Sequence, residues 1–137
     1  MTLECQATPE DVMRAVEALR EFGRVRSVPD KPLFGLTLAL EECASNIVNH
    51  AFRRDPRQKF QVAFERLGNS VTVELRDRAA EFDPTHAPAE ANPGPGERPP
   101  GHWGIPLVRR FIDEIHYRRE ADENVLRLTK RWDEVSI

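Results

Sequence analysis

Residues 41–52 read Glu41-Glu42-Cys43-Ala44-Ser45-Asn46-Ile47-Val48-Asn49-His50-Ala51-Phe52, and their periodicity decides how the rest of the chain is to be arranged. Leu36, Leu40, Cys43, Ile47 and Ala51 recur at helical spacing, so a helix from Leu33 to about Phe52 turns one apolar face toward a core. Steps of four place Glu42, Asn46 and His50 in one row with Asn49 beside it. Any amphipathic helix needs a polar side, and an E-x-x-x-N spacing alone is common. This row falls late in the helix, however, close to where the pattern of the chain changes.

Upstream, Thr8-Pro9-Glu10-Asp11 combines a capping hydroxyl, a first-turn proline and early acids, and predicts a helix running to about Phe22. A short alternating segment, residues 2–7, precedes it, and a connector rich in proline and charge, residues 24–32, follows. Downstream the period becomes two. Phe60, Val62 and Phe64 alternate, then Val71, Val73 and Leu75, with Gly68-Asn69 as the turn of a hairpin. Between Pro84 and Gly104 lie six of the eleven prolines and four of the seven glycines, which predicts a long loop instead of another element. A helical stripe returns at Leu107, Val108, Phe111 and Ile112. Two strands, about 115–119 and 125–131, close the chain across Asp122-Glu123-Asn124. Helices gathered on one face of a mostly antiparallel sheet follow from this order, giving an α+β, two-layer sandwich.

The 137 residues suit a single domain, 1–137. Twenty basic against 23 acidic side chains leave a formal charge of -3, which argues against unspecific contact with nucleic acid or an anionic membrane. Two cysteines are too few for a disulfide framework, and Cys43 falls on an apolar helix face, as a reduced thiol in a cytoplasmic protein would. No secretory leader or membrane span is legible, so the expectation is a cytoplasmic chain with no direct nucleic-acid or membrane partner.

Two further polar signals accompany the row. Asp77-Arg78-Ala79-Ala80-Glu81-Phe82-Asp83-Pro84 begins where the alternating strand stops, and a carboxylate there can accept a hydrogen bond from a buried amino group such as that of adenine. Taken alone, Asp77 reads equally as a turn-forming acid. Gly101-His102-Trp103-Gly104-Ile105 then opens a helix whose first amides favour phosphate. By itself a G-x-x-G is ordinary helix punctuation.

In order, E-x-x-x-N-x-x-x-H-A, D-x-(G/A)-x-x-F-D-P and G-x-x-G-I-x-L followed by an amphipathic helix resemble the anti-sigma factor serine kinases of the RsbW/SpoIIAB type. These belong to the GHKL superfamily of gyrase, histidine-kinase, mismatch-repair and chaperone ATP-binding domains. The resemblance covers nearly the whole chain and implies the Bergerat, histidine-kinase-like ATP-binding fold, with ATP and Mg2+ as cofactors. It implies Glu42 as the general base, Asn46 as the magnesium ligand and Asp77 as the adenine-reading carboxylate. Asn49, Ala79, Phe82, Gly101, Gly104 and Ile105 complete the implied nucleotide contacts, residues 85–103 become a lid, and His50 braces the helix end. The implied substrate is a serine of a STAS-domain anti-sigma factor antagonist, where phosphorylation adds about two negative charges and breaks an interface. A sigma factor and a second copy of the chain are the other implied partners, with Arg14 as a candidate contact.

Many relatives carry glycine where this chain has Ala79 and His102. A methyl at the first site crowds the base unless φ is negative, and a bulky ring at the second restricts lid closure. Two functions therefore stand side by side. One is a protein serine kinase using Mg-ATP; the other is an interaction module of the same fold that regulates a partner without phosphoryl transfer. A detached histidine-kinase catalytic half lacks its phospho-accepting hairpin among these residues, and no GxxxxGK[ST] offers a second nucleotide motif.

Overall fold

A computed structural model describes residues 1–85 and 104–133. Five strands form one sheet: β1 (Thr2–Gln6), β2 (Lys59–Leu67), β3 (Ser70–Asp77), β4 (Glu114–Glu120) and β5 (Glu123–Arg131). Three α-helices accompany it among the described residues: α1 (Pro9–Val25), α2 (Asp30–Asn46) and α3 (Gly104–Phe111). The spatial order is β1-β2-β3-β5-β4 and every pairing is antiparallel. This is the α+β arrangement read from the sequence.

Period-two patterning builds the inner face. Phe60, Val62 and Phe64 of β2 stand opposite Asp77, Leu75 and Val73 of β3, which face Asn124, Leu126 and Leu128 of β5. All of these are buried, and onto them pack Val16 and Leu19 of α1 with Leu36, Leu40 and Cys43 of α2. Each buried aliphatic side chain contributes about 1.5–3 kcal/mol relative to exposure. Asp77 and Asn124 thus end the apolar rows as a polar cross-strand pair. On the water-facing side of the sheet, Glu74 pairs with Arg76 at 2.6 Å and with Arg127 at 3.5 Å.

Element ends follow local chemistry. Thr8 caps α1, its Oγ1 accepting from the Asp11 amide at 3.1 Å, and Pro9 opens the helix. The helix continues three residues past Phe22, to Val25. Helix α2 starts at Asp30, ahead of the expected Leu33, because Pro32 falls in a first turn that has no intrahelical amide bond to lose. The hairpin turn places Gly68 at φ 57°, where glycine meets no steric penalty. In the last hairpin the turn is Ala121-Asp122, and Asn124 lies inside β5 instead of in the turn.

The largest departure lies in residues 41–52. The α-helix stops at Asn46, and Ile47–Ala51 continue as a π-helical turn. A turn closed i→i+5 advances less per residue than an α-helix, so side chains beyond Asn46 leave the row that a spacing of four implies. Arg53 and Arg54 then adopt φ of 50° and 62°, and the Arg54 amide donates to the Val48 carbonyl at 2.8 Å, ending the helix.

Candidate active site

Asn46, the last residue of α2, is 3 % exposed. Its side-chain amide has no hydrogen-bond partner among the described residues, although an unsatisfied buried polar group costs about 1–3 kcal/mol. Across a narrow cleft stands Asp77, 5 % exposed. Its Oδ1 accepts from Asn124 Nδ2 at 2.8 Å and from the Ala79 amide at 3.0 Å, while Oδ2 has no partner among the described residues. Burial raises the pKa of Asp77, an effect opposed by those two hydrogen bonds. Two buried groups with unused acceptor capacity therefore face one space.

Phe82 and Pro84 form another wall of this cleft, with Tyr117 and Asn124 closing the β5 side. Its volume is about 10 Å³, room for one water at most, so a purine enters only as the walls part. The Phe82 ring stacks on His50, centroids 6.4 Å apart and planes 18° from parallel. Glu42 sits one turn before Asn46, about 6 Å along the axis, and is half-buried.

The structure sorts the other expected site residues. Asn49 lines a separate cavity of about 450 Å³ with Ala7, Thr8, Pro9, Arg54 and Pro56, whose lining does not include Asn46. Ile105 is buried in the hydrophobic core. Gly104 is the first residue of α3, whereas Gly101, His102 and all but the first residue of the expected lid 85–103 lie outside the described residues. Ala79 has no positive φ, so its methyl group is accommodated without backbone strain. The guanidinium of Arg14 is engaged by Asp11 at 3.3 Å and by the Glu4 carbonyl at 2.5 Å, tying α1 to β1.

Asn124, Tyr117 and Arg119 were not among the expected site residues. Asn124 is 4 % exposed; its Oδ1 accepts from Tyr117 Oη at 2.5 Å, Arg119 Nη1 at 3.1 Å and the Phe82 amide at 3.2 Å. Its place in an apparent turn tripeptide hid it. The usable signal was the register, since pairing β3 with β5 through their apolar positions sets Asn124 opposite Asp77.

The site fits a magnesium nucleotide by its own groups. Asn46 offers an amide oxygen to a hard cation and Asp77 an acceptor to an amino group. No cluster of three His, Cys, Asp or Glu side chains among the described residues forms a metal cage.

Comparison with known proteins places this geometry. The family model of the histidine kinase-like ATPase domain matches residues 5–130. The serine/threonine-protein kinase BtrW of Bordetella bronchiseptica is 34 % identical over 98 residues, covering 70 % of this chain and 68 % of that protein. Among solved structures, the SiaB-SiaC complex of Pseudomonas aeruginosa contains a chain that superposes with a TM-score of 0.68 at 13 % identity, covering 94 % of this chain and 88 % of that one. The RsbU and RsbW domains of Rv1364c from Mycobacterium tuberculosis superpose with a TM-score of 0.64 at 17 % identity, and the match takes in 96 % of this chain but 31 % of that longer one. At such identities these superpositions speak for the fold. With nearly the full length matched by the family model and a kinase relative at 34 % identity, the chain belongs to the histidine kinase-like ATPase domain family.

Proposed function

We propose that the chain is a protein serine kinase that binds Mg-ATP between α2 and the β3–β5 pair and phosphorylates a STAS-domain anti-sigma factor antagonist. The observation that carries this reading is the convergence of two buried, under-satisfied polar groups, Asn46 and Asp77, one helical turn from a half-buried carboxylate. Asp77 Oδ2 would accept a hydrogen bond from the amino group of the base, Asn46 Oδ1 would hold the cation, and Glu42 would take the proton of the acceptor serine. When bound, Mg-ATP supplies the phosphoryl group and the charge that offsets its transfer. The 34 % identity to a serine/threonine-protein kinase supports the class, and the SiaB-SiaC complex is an instance of this fold holding a protein partner. A sigma factor and a homodimer mate are further partners in this reading.

The closed cleft of about 10 Å³ favours one rival, the interaction module that binds its partner without nucleotide. Titration calorimetry with Mg-ATP separates the two. The kinase reading expects saturable binding by wild type that Asn46→Ala weakens about tenfold or more, and phosphoryl transfer to a STAS acceptor that Glu42→Ala slows about 10²-fold or more. No heat with millimolar Mg-ATP ends the kinase reading, and an unchanged rate for Glu42→Ala ends the assignment of the base.

A further inference from the structure

We propose that Asn124 is a positioning residue that makes the cleft select a purine bearing an amino group at position 6 over one bearing a carbonyl there; this rests on the nucleotide reading above. Asn124 stands directly opposite Asp77 in the β3–β5 ladder and is buried. Its Nδ2 meets three acceptors, Asp77 Oδ1 at 2.8 Å, the Ala80 carbonyl at 3.0 Å and the Ala79 carbonyl at 3.4 Å. Its Oδ1 meets three donors, Tyr117 Oη, Arg119 Nη1 and the Phe82 amide. A flipped amide would set nitrogen against three donors and oxygen against three acceptors, so the orientation follows from the partners.

The fixed amide settles what Asp77 can do. One carboxylate oxygen is consumed by Asn124 and the Ala79 amide, and the torsional freedom of the carboxylate goes with it. The remaining oxygen is held toward the cleft as an acceptor in a single direction. An amino group satisfies it. A carbonyl oxygen in the same place leaves two acceptors face to face without water, the arrangement by which polar sites reject an analogue most strongly. The same amide pins the Ala80 carbonyl and the Phe82 amide, so it also sets one wall of the space the base enters. Arg119 adds a second tie through the Ala79 carbonyl at 2.8 Å.

Calorimetric dissociation constants for Mg-ATP and Mg-ITP, which differ in the amino or carbonyl group at position 6 and in the hydrogen that N1 carries beside the carbonyl, test this on the full chain. Wild type is expected to prefer ATP by about 10²-fold. In Asn124→Ala the preference should fall about tenfold, through weaker ATP binding with ITP binding little changed. Asn124→Ser, whose hydroxyl can donate to only one of the three acceptors, covers the case in which the alanine variant is unfolded by thermal denaturation, and its preference should fall in the same direction. Equal loss of both nucleotides in a folded variant marks a purely structural residue and overturns the inference while the kinase reading stands. Failure of wild type to bind either nucleotide overturns both.

Discussion

Asp77 carries a carboxylate into a place that favours its neutral form. Because burial raises its folded pKa above the ordinary 3.8, the folded chain holds the proton more tightly than the unfolded one does. The contribution to stability is therefore complete below the unfolded pKa and is lost as pH rises through the folded value; at neutral pH the ionised group opposes folding. Asp77→Asn keeps an acceptor for Asn124 and the Ala79 amide and removes that charge. It should raise stability at pH 7 by about 0.5–2 kcal/mol in denaturant titrations, with the gain vanishing toward pH 4, while nucleotide binding is lost. A destabilised variant at pH 7 would show that the charge is needed for the fold. At this scale Asn46 and Asp77 came forward from the sequence only through the family resemblance, and the structure sets both on one cleft. Asn124 was not legible, because its place depends on a partner 47 residues away.

Elements depend on spacing, and spacing was a dependable guide only while the geometry stayed regular. Thr8-Pro9 marked the start of α1 and Gly68-Asn69 the hairpin turn, since capping and positive φ are local demands. The row Glu42, Asn46, His50 with Asn49 was drawn on an α-helix, yet the π-helical turn after Asn46 sends Asn49 to another cavity and leaves His50 against Phe82. Nothing in the residue types of Ile47–Ala51 announces that change. Packing between elements makes its own prediction at Gly35, where an added Cβ would lie 2.8 Å from the Phe111 carbonyl oxygen. A backbone atom cannot yield as a side chain does, so Gly35→Ala should push α3 from α2 and cost about 1–3 kcal/mol. Chemical denaturation measures it, and a neutral substitution would mean that the two helices are free to separate.

For the molecule as a whole, the antiparallel sheet with helices on its inner face was foreseeable from the order of periodicities, but the interior place of β5 was not. Burial explains it: Val125, Leu126 and Leu128 need cover on both sides, while β4, with exposed His116, Arg118 and Glu120, tolerates an edge. Global packing also silences both thiols. Cys43 is pushed up to about 12 and Cys5 to about 11, chiefly by desolvation, and each is 1 % exposed. Under native conditions neither should react with a thiol reagent, and both should react in denaturant; rapid labelling of the folded chain would contradict the packing. A practical chemistry follows for the water-facing side of the sheet. Glu65 is exposed there, directly across from Thr72 and away from the cleft between Asn46 and Asp77. Placed at that position, a new cysteine would be the sole reactive handle among the described residues, so a dye or a surface linker could be attached with the endogenous sulfur atoms left in place.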